Sequence, residues 1–130
     1  MPGRVVLDTT IVIAHFRNEA AVSARLNAAS LLLLPVIALG ELYTGAFHKK
    51  QNRDKALETV EDFIASVNLL RTDHDTARHY GRLRSRLMAK GRPIPDNDLW
   101  IAALAIQYGL PLANRDAHFD EIDDLQQQKW

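Results

Sequence analysis

Short apolar runs alternate with longer stretches of helical periodicity along the chain. Arg4-Val5-Val6-Leu7 is a β-branched run that stops at Asp8-Thr9-Thr10 and predicts a buried strand. Ile11, Val12, Ala14, His15 and Phe16 begin a helical pattern at once. A second helix fits Glu19 to Ala29, where Ala20, Ser23, Ala24 and Asn27 permit close packing. Periodicity alone does not decide whether Leu31-Leu32-Leu33-Leu34 is strand or helix. Pro35 settles it as a strand, because proline closes a ladder and a new helix can begin just after it. That helix covers Val36 to Gly45. Beyond a polar turn from His48 to Asp54, Leu57, Val60, Ile64 and Val67 share one helical face. Asn68-Leu69-Leu70-Arg71-Thr72 is a third strand candidate. Thr72 or Asp73 then caps a helix from about Asp75 to Lys90, with Gly91 as its stop.

The most apolar helix follows Pro93-Ile94-Pro95. Asp96-Asn97-Asp98 opens it, and Ile101, Leu104, Ala105 and Tyr108 predict burial on most sides as far as Gly109. Asp96 or Asn97 is expected to cap the first turn, which leaves Asp98 over. Leu110-Pro111-Leu112-Ala113 predicts a short strand before Asn114-Arg115-Asp116, and a last edge strand is expected near Gln128–Trp130. Strands alternating with helices imply a parallel sheet covered on both faces. The expected fold is α/β, a three-layer α/β/α sandwich with a central, mostly parallel sheet of four to five strands. The expected organisation is one domain over residues 1–130.

Composition narrows the chemistry. A chain of 130 residues with 47% hydrophobic and 25% charged positions is an ordinary globular domain. It has no cysteine, which removes disulfides, thiolate metal sites and cysteine nucleophiles. The five histidines fall in no HExxH-like spacing. Met1-Pro2-Gly3-Arg4 leads into no signal-like apolar region, and no segment is long enough to span a membrane, so a cytoplasmic protein is expected. Sixteen basic and sixteen acidic residues balance to zero, so a nucleic-acid partner would need a local basic patch.

Ligands of parallel sheets bind outside the C-terminal strand ends, and right-handed crossovers put those ends on one edge. Four acids converge there. Asp8 ends the first strand, Asp116 follows the strand near Leu112, Asp98 opens the apolar helix, and Glu41 lies in the first turns after Pro35. Each alone has an ordinary alternative, as turn residue, cap or solvated helix position. Gathered without cations, they would repel and raise one another's pKa values, which a hard divalent ion relieves. Oxygen donors without cysteine or paired histidines favour Mg²⁺ or Mn²⁺. No GxxxxGK[ST], GxGxxG or GxSxG motif is present, and Asp8-Thr9-Thr10 lacks the second aspartate of phospho-aspartyl phosphatases. From Arg78 to Arg92 there are six basic residues and no acid. Arg78, Arg82 and Arg86 recur at helical spacing, either as a solvated face or as an RNA-docking strip.

Four motifs in this order resemble the PIN-domain ribonucleases, specifically the VapC-like toxins of VapBC toxin–antitoxin pairs. They are Val6-Leu7-Asp8-Thr9-Thr10, Ala38-Leu39-Gly40-Glu41-Leu42-Tyr43-Thr44-Gly45, Pro95-Asp96-Asn97-Asp98-Leu99-Trp100-Ile101-Ala102-Ala103 and Leu112-Ala113-Asn114-Arg115-Asp116-Ala117-His118-Phe119. The resemblance implies that Asp8, Glu41, Asp98 and Asp116 bind catalytic Mg²⁺ or Mn²⁺ and that the activity is endonucleolytic hydrolysis of RNA. Asn114 stands where the family often has Thr or Ser, and Thr10 where many members have Asn or Ser. Thr10, Asp96 and Asn114 are expected to support the site from around it. A homodimer and a cognate VapB-like antitoxin covering the groove are also implied. The alternatives are a PIN-fold nuclease with a non-toxin role in nucleic-acid processing and a catalytically silent nucleic-acid-binding module.

Overall fold

The structure is a computed structural model that describes residues 3–130. Its strands are β1 (Arg4–Leu7), β2 (Leu31–Pro35), β3 (Asn68–Leu70), β4 (Leu112–Asn114) and β5 (Gln127–Lys129). Its helices are α1 (Thr9–Phe16), α2 (Ala20–Ala28), α3 (Val36–His48), α4 (Arg53–Ile64), α5 (His74–Lys90) and α6 (Asp96–Tyr108), with a 3-10 turn over Ala117–Glu121. The sheet order is β3-β2-β1-β4-β5, and every pairing is parallel. The expected α/β/α sandwich is therefore present, with five strands.

Topology sets where the site lies. Successive strands move outward from β1 to β2 to β3, and the chain then returns across the sheet to β4 and β5. With right-handed crossovers, that reversal puts α5 and α6 on the opposite face from the helices that precede β3. It also makes the space between the ends of β1 and β4 the switch point, where parallel sheets bind ligands. Val6, Leu7, Leu34, Leu112 and Ala113 are fully or almost fully buried, as strands covered on two faces require.

Helix α6 is the most enclosed helix. Leu99 and every residue from Ile101 to Ala105 are buried, because α5 packs along this helix and α3 and the 3-10 turn close on it from other sides. The small side chains Ala102, Ala103 and Ala105 let the neighbouring elements approach. Ile101→Val would remove one methyl from a site with no exposure. The expected cost is about 1 kcal/mol, read as a lower urea midpoint with an unchanged slope.

Several boundaries differ from the sequence expectations. Helix α2 is one residue shorter at each end than Glu19–Ala29, β3 stops at Leu70, β4 begins at Leu112 and continues to Asn114, and the edge strand is Gln127–Lys129. Tyr108 is 47% exposed and is the last residue of α6. Of the two caps weighed for α5, Asp73 is the one used: its carboxylate accepts the Thr76 N–H at 3.1 Å. Gly91 and Gly109 end α5 and α6 at φ of 68° and 64°, the left-handed conformation that favours glycine. Neither Asp96 nor Asn97 caps α6. Pro95 occupies the cap position, and no capping side chain accepts from the N–H groups of the first turn. Proline fits there because its missing N–H and fixed φ suit the start of a helix.

Candidate metal centre

The C-terminal strand ends open into a cleft of about 520 Å³ lined by Asp8, Glu41, Asp98 and Asp116 together with Thr10, Asp96 and His118. The four acids singled out in the sequence thus share one cleft, although they come from four separate parts of the chain. Asp8 is the residue between β1 and α1 and is 3% exposed. Thr10 Oγ1 donates to its Oδ2. Thr9, buried beside it, donates through Oγ1 to Glu41 Oε1 at 2.7 Å. One short segment therefore orients two carboxylates, one directly following its strand and one on α3.

Asp98 and Asp116 meet through a histidine. The Nδ1 of His118 lies 3.1 Å from Asp98 Oδ2 and 3.1 Å from Asp116 Oδ1. The backbone N–H of His118 also donates to Asp116 Oδ1 at 2.9 Å. Asp98, Asp116 and His118 offer ligand atoms that all lie within 4.8 Å of one another, so these three can hold a metal ion. His118 was not singled out by sequence reading, which weighed its histidines only for HExxH spacing. The signal was available as an Asp-x-His pair just past a strand.

The electrostatics are those of crowded acids. Burial pushes the Asp98 carboxyl up to about 6, a hydrogen bond from His118 opposes the shift, and Asp8 and Asp116 add to it. Burial also raises Asp8, against hydrogen bonds from Thr10 and the backbone, and the Glu41 charge raises it further. Buried oxygen donors whose ionised forms are disfavoured fit a bound divalent cation, which would remove both the repulsion and the desolvation penalty.

Asn114 is fully buried and braces the loop that carries Asp116. Its Oδ1 accepts the Asp116 N–H at 3.2 Å and Lys129 Nζ at 2.9 Å, while its Nδ2 donates to Leu112 O and Gln127 Oε1, each at 3.2 Å. An amide supplies both donors and an acceptor here, where a hydroxyl has only one proton to give. Asp96 lines the cleft but is turned toward α5. It accepts the Tyr80 hydroxyl at 3.0 Å and lies 3.9 Å from Arg84 Nε.

The arginine strip is not brought to the cleft. Arg86 pairs with Asp124 at 2.7 Å, and Arg82 Nη2 lies 2.6 Å from His79 Nδ1. Arg78, Arg82 and Arg86 are all absent from the cleft lining.

The PIN-domain family model matches residues 5–125, nearly the whole chain. The chain belongs to the PIN-domain family. Among its curated relatives, Ribonuclease VapC1 of Haemophilus influenzae is 34% identical over 130 residues, covering 96% of each chain. Among solved PIN-domain structures, VapBC-1 from nontypeable Haemophilus influenzae matches with a TM-score of 0.88 at 31% identity, covering 98% of both chains. VapBC-5 from Mycobacterium tuberculosis, described as a member of the VapBC family of toxin–antitoxin systems, matches with a TM-score of 0.78 at 30% identity. That match covers 99% of this chain and all of the other. Among the described residues, no helix of this PIN domain is long and apolar enough to cross a membrane.

Proposed function

We propose that this PIN domain is a Mg²⁺- or Mn²⁺-dependent endoribonuclease and the toxin of a toxin–antitoxin pair with a VapB-like antitoxin. The observation that carries the reading is the meeting of Asp8, Glu41, Asp98 and Asp116 in one cleft at the switch point of the sheet. Support comes from relatives named as VapC ribonucleases and from a neighbour solved as a toxin–antitoxin system. The reading takes RNA as the substrate, in keeping with relatives named as ribonucleases, and includes a homodimer in the cytoplasm.

Asp8, Glu41, Asp98 and Asp116 are the residues that would hold the ion. Bound there, a divalent ion supplies a water of lowered pKa and stabilises charge on the phosphoryl and leaving oxygens. Thr9 and Thr10 fix the rotamers of Glu41 and Asp8, so these carboxylates need no reorganisation when substrate arrives. His118 does the same for Asp116 through its backbone N–H and for Asp98 through Nδ1, while Asn114 holds the backbone of Asp116.

The test is incubation of the purified chain with structured RNAs and Mg²⁺ or Mn²⁺, alongside expression of the chain alone in cells. Internal cleavage abolished by EDTA, with growth arrest on expression, is the expected result. Cleavage that survives the chelator would end the metal mechanism. Metal-dependent cleavage without arrest would move the chain to a processing role.

A further inference from the structure

A second groove, of about 420 Å³, runs beside the acidic cleft between α1, α3 and α4. It shares Ile13 and Glu41 with the cleft, so the two are continuous. Its floor is apolar, from Phe16, Leu42 and Val60, and Arg17, Lys49 and Lys55 stand exposed along it. Among the described residues, none of these three cations has an ion-pair partner. Four of the six basic side chains from Arg78 to Arg92, and two in the C-terminal segment, contrast with them, whereas Arg78 and Arg82 are unpaired among the described residues but lie outside both the groove and the cleft. Arg84, Arg86, Lys90 and Arg92 are each within ion-pair distance of an acid, as are Arg115 and Lys129.

We propose that this groove is the track for the single-stranded RNA segment flanking the cleaved bond, with its phosphates held by Arg17, Lys49 and Lys55. The inference rests on the endoribonuclease reading above and names the docking surface that reading lacks. A polyanion approaching a cleft of four carboxylates needs uncommitted cations next to it, and on this molecule a groove continuous with the cleft supplies them.

Two further features fit a close backbone approach. Gly45 lies in the groove wall inside helix α3, where glycine costs stability, yet nothing in the fold comes within 4 Å of a Cβ built there. The space it leaves open faces the groove rather than a packed neighbour. Asn52 also lines the groove at the start of α4, and no side chain caps that helix, so its first-turn N–H groups remain available to an anion. The apolar floor gives riboses and bases a surface to rest on, as in single-strand tracks elsewhere.

The experiment is a salt titration of binding, in Ca²⁺ to suppress turnover, using a short single-stranded RNA with 2′-O-methyl riboses. Metal-dependent cleavage of unmodified RNA by the wild type is measured in parallel. The double variant Lys49→Gln/Lys55→Gln is expected to lower the slope of log affinity against log salt by about 1.4, roughly 0.7 per lost contact. Gly45→Gln is expected to weaken binding several-fold while keeping the slope, because it fills the groove without changing charge. Lys90→Gln, which removes a cation already held by Asp123, is expected to leave the slope as it was. An unchanged slope in the double variant, with the wild type still cleaving, overturns the track and leaves the nuclease reading standing. The same unchanged slope with lost retention of the co-expressed antitoxin would assign the groove to a protein partner. A wild type that neither binds nor cleaves RNA overturns both.

Discussion

Asp98→Asn is expected to lower metal-dependent RNA cleavage by at least about 10²-fold, more than the 10- to 100-fold usual for residues that only orient a ligand. Asn keeps the shape of the side chain but removes the charge that a divalent cation needs. Its position decides the size of the effect. Asp98 opens a buried helix and has only 15% of its side chain exposed, so no solvated acid can take its place. Asp8→Asn and Glu41→Gln are expected to fall in the same range. Asp116→Asn is expected to be milder, because that side chain is 31% exposed on a loop beyond β4. Asp96→Asn should matter least, since its carboxylate is directed to Tyr80 and Arg84 rather than to the other acids. Folding supplies the control. In the metal-free chain Asp98→Asn should melt at the same temperature or higher, because it removes a charge that burial disfavours. A loss of activity accompanied by a large drop in melting temperature would instead make Asp98 a structural residue. Mn²⁺ binding by calorimetry gives a readout independent of turnover, and a variant that binds the ion like the wild type would remove Asp98 from the ligand set.

Much of this arrangement was legible in the chain. β1 and β2 are continuous apolar runs because both faces of the sheet are covered, and such runs announce themselves without any periodicity. The four acids could be assigned to one edge from topology alone, since parallel strands leave no other place for residues that follow them. What the chain hid depends on contacts between distant segments. Whether Asp96 caps α6 turned on Pro95, which fits the cap position itself and frees Asp96 to meet Tyr80 from the neighbouring helix. The pairing of Arg86, Lys90 and Arg92 was hidden because their partners, Asp124, Asp123 and Glu121, lie some thirty residues downstream. His118 took on meaning only once Asp98 was seen facing it from another element. The unpaired cations of Arg17, Lys49 and Lys55 have no common periodicity, since they come from the ends of three different elements.

Acidity should control metal loading more steeply than it controls the fold. The Asp98 carboxyl is raised from 3.8 to about 6, so between those values the folded chain holds a proton that the unfolded chain has released. The contribution of Asp98 to the stability of the metal-free chain therefore falls as pH rises through this window, by at most about 3 kcal/mol, and by less to the extent that water screens the cleft. Asp8 is shifted in the same direction by burial and adds to the slope. A divalent cation reverses the sign, because it binds only the ionised carboxylates and must displace the proton first. Its apparent affinity is expected to drop about tenfold for each pH unit below 6, and more steeply where Asp8 also takes up a proton. Thermal melts with and without Mn²⁺ at several pH values between about 4.5 and 8 measure both effects. The metal-free melting temperature of the wild type, taken relative to Asp98→Asn, should decline up to about pH 6 and then level off, while the increment from Mn²⁺ should grow over the same range. Asp98→Asn should remove most of that increment. An increment from Mn²⁺ that is the same at every pH would mean that the ion sits on carboxylates with ordinary acidity, away from Asp8 and Asp98.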